Sequence, residues 1–438
     1  MSLTGNLRSV HLPLKDLVKC AVCSKKKDLR LCSSCGEQTY CSAECQKNDW
    51  PTHKTSCANP KSLGKTDRIN LESFYPFIAI IVDQCHMHKD KPMHPATLHK
   101  IVNTPNPNVH PTQLPDGSVA KAVILGDPQP LTQIGAPSWW PSALSDNVRG
   151  KMMRRFLREG YLPHILIAVC LGLLAEVYTT TSGLRYGKQR RVRLRQHTSP
   201  ISDFGIAYGS ARVTAQDKLA YLYLSDGSMV KGQDPDNHYW LYFTTVRGQE
   251  FILECGMFTF NMSQIIASQP YLSANDPSMP FVPAFFRDRM IQKNTPELHR
   301  ERKRFSVLRN PALQRAVANS ETGFTAQDLQ AITSFFQTVS GKIPSESDKD
   351  VLQAFMLHSC RAFADVIESG RWKGFPVEPV LAIEADPGEL DDIDDSSEEW
   401  WQYLQNWKKM KKSGKVGEET MRQAFLDWER KNGRKKRS

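Results

Sequence analysis

"CAVCSKKKDLRLCSSCGEQTYCSAECQKNDWPTHKTSC", residues 20–57, holds seven of the chain's eleven cysteines. In order, its soft ligands are Cys20, Cys23, Cys32, Cys35, Cys41, Cys45, His53 and Cys57. Their spacing is C-x2-C-x8-C-x2-C-x5-C-x3-C-x7-H-x3-C. Eight ligands in four pairs suit two tetrahedral zinc ions with four ligands each. The C-x2-C pairs fit tight turns that aim both sulfurs at one ion. Cys41/Cys45 and His53/Cys57 are i, i+4 pairs, which share one face of a helix. Ser42 is placed to cap the first of these helices. With every position filled by protein, neither ion has room for substrate, so both are expected to be structural. The segment is too small for a core of its own, and metal binding should supply most of its folding energy.

These eight positions resemble a MYND-type zinc finger and match it throughout. The resemblance implies interleaved sites, with Cys20, Cys23, Cys41 and Cys45 on one zinc. The other zinc would take Cys32, Cys35, His53 and Cys57. Spacing alone does not make that assignment. MYND fingers generally receive short proline-containing peptides, which lie along a short strand and pack on a tryptophan. The positions that match here are Ser33, Gln46 and Trp50. Gln46 and Trp50 are i, i+4 and share a helix face. No Pro-x-Leu-x-Pro motif, the form of many such ligands, occurs in this chain.

Charge argues against nucleic acid at the finger. Residues 20–57 carry six Lys/Arg and four Asp/Glu. Metal-bound thiols are deprotonated, so seven thiolates and two Zn²⁺ bring the loaded finger to about −1. Phosphate binding needs concentrated positive charge, and only Lys25–Lys27 supply it locally.

The whole chain has 438 residues and a net charge of +11, with 40% hydrophobic and 24% charged residues. That length buries a large core, and the composition is that of a soluble globular protein. No signal peptide or membrane span is legible, so an intracellular protein, nuclear or cytoplasmic, is expected. The most apolar run, "YLPHILIAVCLGLLAEVY" (161–178), contains Pro163, His164 and Glu176 and reads as a buried helix.

The rest divides into an N-terminal segment (1–19), a body (67–375) and a tail (376–438). "FYPFIAIIVDQCHMH" reads as helix. A proline-rich stretch over 101–148 reads as extended surface chain. Residues 145–180 read as one or two helices with a break at Pro163. "LAYLYLSDGSMV" and "HYWLYFTTVRGQEFILECGMF" read as hairpins turning at Asp226-Gly227 and Arg247-Gly248. Residues 281–375 read as helical again. The expected class is α+β: a small N-terminal two-zinc cross-brace finger plus a larger body of mixed helices and antiparallel strands. That body resembles those of fungal proteins carrying a MYND finger, which implies no particular chemistry.

Three chemistries suggest themselves in the body. Some lysine methyltransferases carry a MYND finger inside a catalytic domain with an Asn-His-Ser-Cys-x-Pro-Asn motif. Here Leu357-His358-Ser359-Cys360-Arg361-Ala362-Phe363 lacks the Asn and the Pro-Asn. A cysteine hydrolase or transferase would use His238 and Glu254 on the second hairpin with Cys170 upstream, but Cys170 sits mid-run among apolar residues. Cys85, His86, His88, His94 and His99 have no regular ligand spacing and read as a solvated helix end.

The tail is split by charge. Residues 384–399 hold nine acidic and no basic residues, whereas 401–438 hold twelve basic and four acidic. "EEWWQYLQNWKKMKK" reads as an amphipathic helix. "ERKNGRKKRS" is compatible with nuclear import or nucleic-acid contact. The leading expectation is a zinc-binding adaptor that uses Ser33, Gln46 and Trp50 to hold a proline-containing partner. The alternative is an enzyme whose finger recruits substrate.

Overall fold

The computed structural model describes residues 8–428 apart from 34, 55–56, 58–65, 107–109, 180, 183–188, 263, 274–278, 290–297, 320–322, 385–397, 415–423 and 425–426. The closing basic cluster and most of the acidic run lie outside the described residues.

The chain opens with a two-residue hairpin, β1 (Arg30–Leu31) and β2 (Thr39–Tyr40), followed by α1 (Ala43–His53). Next come β3 (Thr66–Asn70), α2 (Leu71–His86), the short α3 (Pro95–Leu98), β4 (His99–Ile101), β5 (Thr112–Gln113) and β6 (Val119–Pro128). Two helices follow, α4 (Asp146–Leu157) and α5 (Leu162–Val177). The sheet region then runs β7 (Thr181–Ser182), β8 (Gln189–Gln196), β9 (Ser199–Ala211), β10 (Leu219–Tyr223) and β11 (Met229–Lys231). It continues with β12 (His238–Thr245), β13 (Glu250–Glu254), β14 (Gln264–Ala267), β15 (Phe281–Pro283), β16 (Phe285–Asp288) and β17 (His299–Ser306). The remaining elements are α6 (Pro311–Ala318), α7 (Ala326–Ser340), α8 (Glu346–Ser369), β18 (Leu381–Ile383) and α9 (Glu398–Lys412). The class is α+β, a finger joined to a mixed body.

By backbone proximity the chain forms two compact units. The first takes Met1–His94, Leu157–Thr214 and Gln233–Ile383; the second takes Pro95–Phe156, Ala215–Gly232 and Glu384–Ser438.

In the first unit the long strand β9 is central. It pairs antiparallel with β12 on one side and β17 on the other, and β12 continues to β13 and β16. Helices α2, α5, α6, α7 and α8 contribute to the core over this sheet. α5 is apolar on every face and buried throughout, as a central helix must be. Pro163 stands in its first turn, where a missing N–H costs nothing. α7 and α8 start on capping boxes, Thr325 with Asp328 and Ser345 with Asp348. α8 packs closely on α5 because Gly172 has no side chain: a Cβ there would meet Phe363 at 2.7 Å. Among the described residues no single helix is long and apolar enough to cross a membrane.

The second unit is built on the sheet β11-β10-β6-β4, in which β10 and β6 run parallel. This corrects the surface-chain reading of 101–148. That stretch contains β6, and Trp139 and Trp140 within it are fully buried. Their indole N–H groups donate to the carbonyls of Ala96 (2.9 Å) and Asn103 (2.7 Å), so burial leaves neither unsatisfied. The helical reading of 281–375 also fails at its start, where Phe281–Pro283, Phe285–Asp288 and His299–Ser306 are the strands β15, β16 and β17. On α9, Trp407 is buried with Leu404 and Ala424; the side chains of Trp400 and Trp401 lie outside the described set.

Candidate metal centre

Both C-x2-C pairs form the same turn. In one, Ser24 N–H donates to the Cys20 carbonyl (3.1 Å); in the other, Gly36 N–H donates to the Cys32 carbonyl (2.8 Å). In each, the residue after the second cysteine is left-handed, Ser24 at φ 57° and Gly36 at φ 66°. Gly36 accepts this without strain. Ser42 caps α1 by accepting from Cys45 N–H (3.2 Å), and this fixes where Cys41 and Cys45 enter the site. β1 and β2 carry the chain between the two turns and α1.

The eight side chains gather into two groups, Cys20/Cys23/Cys41/Cys45 and Cys32/Cys35/His53/Cys57. Within the first, Cys23 lies 3.4 Å from Cys41 and 3.8 Å from Cys45, and Cys41 lies 3.7 Å from Cys45, sulfur to sulfur. A tetrahedral ion with Zn–S near 2.3 Å sets that edge at about 3.8 Å. In the second group, Cys32 and Cys57 are 3.8 Å apart, and Cys35 Sγ is 3.4 Å from His53 Nε2. The corresponding S–N edge is about 3.5 Å. The donor spacing therefore fits two zinc ions, one held by Cys₄ and one by Cys₃His.

Without an ion these sulfurs oppose each other's ionisation. Burial, reinforced by the neighbouring sulfurs, pushes the Cys35 thiol up to about 12. Hydrogen bonding to Cys23 and burial push Cys41 up to about 12. Cys20, which accepts from the Cys23 backbone, is drawn down to about 6. A dication removes the conflict by stabilising every thiolate. Outer contacts already favour negative sulfur: Glu37 N–H points at Cys35 Sγ (3.3 Å) and the Gln46 amide at Cys32 Sγ (3.7 Å). The finger's core is Cys20, Cys32, Cys35, Tyr40 and Cys57, with Tyr40 donating to Asp49 (2.7 Å) and its ring edge-on to His53. An ion pair, Arg193 to Glu37 at 2.6 Å, ties the finger to β8.

Of the matched recognition positions, Trp50 is exposed (46%) and Ser33 is exposed. Gln46 is half-buried, because its amide serves the Cys32 sulfur.

In the body, His238 starts β12, Glu254 ends β13 and His299 starts β17, so three strand ends meet at one edge of the sheet. His238 Nε2 and His299 Nε2 lie 2.9 Å and 2.6 Å from the same oxygen, Glu254 Oε2. Glu254 Oε1 accepts from Gly256 N–H (2.6 Å) and Met257 N–H (3.0 Å). All three side chains are essentially inaccessible. The imidazoles are parallel, 5.8 Å apart, and His299 stacks on Trp240 at 4.4 Å. Burial pushes the Glu254 carboxyl up, yet the charges and hydrogen bonds of His238 and His299 outweigh it and hold it below the usual range. An ion bound by two nitrogens and an oxygen would set N–O edges of about 3.3 Å. The observed separations are those of charge-assisted hydrogen bonds.

The sequence paired His238 and Glu254 but missed His299, which lies in the charged run "HRERKRFS". Cys170 is not in this group; it is buried in α5 and burial raises its thiol well above the ordinary range. Cys85, His86, His88, His94 and His99 form no ligand group among the described residues. Cys85 and His86 are buried rather than solvated, and burial pushes the Cys85 thiol up to about 12. The segment Leu357–Phe363 runs inside the continuous helix α8.

Residues 20–57 match the family model of the MYND finger. Among curated proteins, N-lysine methyltransferase SMYD2 of Homo sapiens is 45% identical over 57 residues, 13% of this chain and 11% of that protein. N-lysine methyltransferase SMYD2-B of Xenopus laevis is 38% identical over 64 residues, 14% of this chain and 13% of that protein. The Mus musculus SMYD2 is 43% identical over 47 residues, 10% and 11% of the two chains. The chain thus spans about an eighth or less of the length of these relatives, and the likeness is to the finger. No solved structure matches the chain.

Proposed function

We propose that the chain is an adaptor whose two-zinc finger docks a proline-containing segment of a partner protein. The observation that carries this reading is Trp50. A large aromatic side chain stands 46% exposed on α1 of a domain with almost no core to spare. Indole faces are favoured platforms for proline rings, and rigid exposed aromatics are common anchors at interfaces. Ser33 lies within the second turn, exposed between Cys32 and Cys35. Gln46, one helical turn before Trp50, links the recognition face to a zinc ligand through Cys32. The two-stranded β1–β2 ladder offers backbone groups for an added strand, so main-chain bonds would give affinity and Trp50 the side-chain pocket.

The test is titration of the intact protein with a fluorescent Pro-x-Leu-x-Pro peptide, with zinc counted in parallel. Trp50→Ala should weaken binding at least ten-fold and leave two zinc ions in place. Unchanged binding in that variant would move recognition away from this face.

The enzyme reading draws no support from the body's geometry. Among the described residues Cys170 joins no cluster with a histidine and a carboxylate, burial and the Asp203 charge raise its thiol, and the relatives named as methyltransferases are matched only over the finger.

A further inference from the structure

We propose that a cleft between α2 and α8, remote in sequence from the finger, binds a small organic anion with an apolar body. Its volume is about 550 Å³, within the roughly 300–1,000 Å³ range of small-molecule sites. The cleft follows from helix geometry. His358, Arg361, Ala362 and Asp365 stand at i, i+3, i+4 and i+7 on α8 and so form one stripe. Phe77 and Gln84 are seven apart on α2 and face it, with Met87, His88 and Lys89 on the turn that follows.

Phe77, Ala362 and Met87 supply an apolar floor. The rim is cationic. Arg371 is committed: it donates to Asp365 (2.9 Å) and to the Tyr271 carbonyl (3.2 Å), and its guanidinium lies 6.0 Å from the Phe77 ring centre. This pairing uses up the one acid that lines the cleft. Lys89 and Arg361 are exposed and make no hydrogen bond or ion pair with the described residues. Asp90, half exposed, lies 3.7 Å from His88 and leaves the rim with a net positive charge. His358 is held in place by Gln84 (3.1 Å) and edge-on to His88, giving the wall two imidazoles. Two uncommitted cations over an apolar floor select a ligand with an acidic head and a hydrophobic body: the cations steer the head, and area burial holds the rest.

The probes are 1-naphthyl phosphate and 1-naphthoate, with 1-methoxynaphthalene and inorganic phosphate as partial ligands. They are titrated into the full chain by calorimetry and by the methyl resonance of isotope-labelled Met87. Both naphthyl anions should bind at least ten-fold more tightly than either partial ligand and shift Met87. Lys89→Glu with Arg361→Glu should remove that preference while the thermal midpoint and zinc count stay unchanged, since neither side chain holds a partner. Ala362→Phe, which fills the floor, should block both anions with the rim charges intact. Equal binding of the neutral compound, anion binding that survives the double charge reversal, or a Met87 resonance that does not move would each overturn the proposal.

Discussion

Two clusters of titratable side chains lie in the first unit, and they are held together by different things. In the finger, like groups face like groups. Sulfurs stand 3.4–3.8 Å apart, the edge lengths an ion imposes, and the few N–H donors that reach them, from Glu37, Gln46 and Cys23, offset only part of their mutual repulsion. In the body, unlike groups face each other. Two imidazoles meet one carboxylate oxygen at 2.6 and 2.9 Å, and two backbone N–H groups satisfy the other oxygen. The first cluster needs something the chain does not encode; in the second the facing groups satisfy one another, and the buried His299 Nδ1 is left without a hydrogen-bond partner among the described residues. Residue type alone would make both metal sites, and the separation between donor atoms is what tells them apart.

The largest consequence is for chelation. Structural zinc contributes on the order of 10–16 kcal/mol in isolated fingers. Stripping the metal at pH 7 should therefore unfold residues 20–57 and leave the body's sheet intact. Amide hydrogen exchange checks this: protection should vanish over α1 and persist on β9 and β12. A collapse of both would mean that the finger holds the body together.

Next is the loss of Glu254. Removing one partner from a buried charge network strands the others and costs about 3–5 kcal/mol. Glu254→Ala should destabilise the body by that order in urea, with two zinc ions still bound. A loss of metal on this substitution would tie the two clusters together and break the contrast.

A smaller effect is expected with pH. The Glu254 carboxyl ionises at lower pH folded than unfolded, so between those values the unfolded chain binds the extra proton. Its contribution is complete above about pH 5 and is lost as pH falls through the folded value. Glu254→Gln should flatten the acid limb of body stability; a limb that keeps its slope would assign the acid sensitivity elsewhere. Smallest of all is Trp50→Ala, which should change finger stability by no more than about 0.5 kcal/mol, as measured by zinc competition. A larger loss would make Trp50 a packing residue and weaken the docking reading.

How legible these regions were in the sequence follows the same division. The finger is local: its ligands, turns and cap fall within 38 residues, and each spacing has a geometric meaning. Helices α2, α7 and α8 and the β12–β13 hairpin are local too, and their periods and turn residues announce them. β9 is not. It holds Gly205 and Gly209, poor strand formers by propensity, and exists because β12 and β17, far along the chain, flank it. β17 falls within the stretch read as helical; it is a strand whose Arg304 pairs with Glu301 on the same strand and with Glu250 across the sheet. His299 starts that strand, so the third member of the buried cluster was hidden by the same non-local pairing. Trp139 and Trp140 lay among prolines, which suggested surface chain, and only the β6 sheet shows what covers them.

Native mass spectrometry of the folded chain tests the account most directly, by counting zinc in the wild type and in His299→Ala. Two ions in both proteins are expected, because the finger supplies every ligand and the Nε2 atoms of His238 and His299 are already engaged with Glu254 at hydrogen-bond distance. One ion or none in the wild type would contradict the two-site finger. Three ions, falling to two in His299→Ala, would show that the body cluster holds a metal after all.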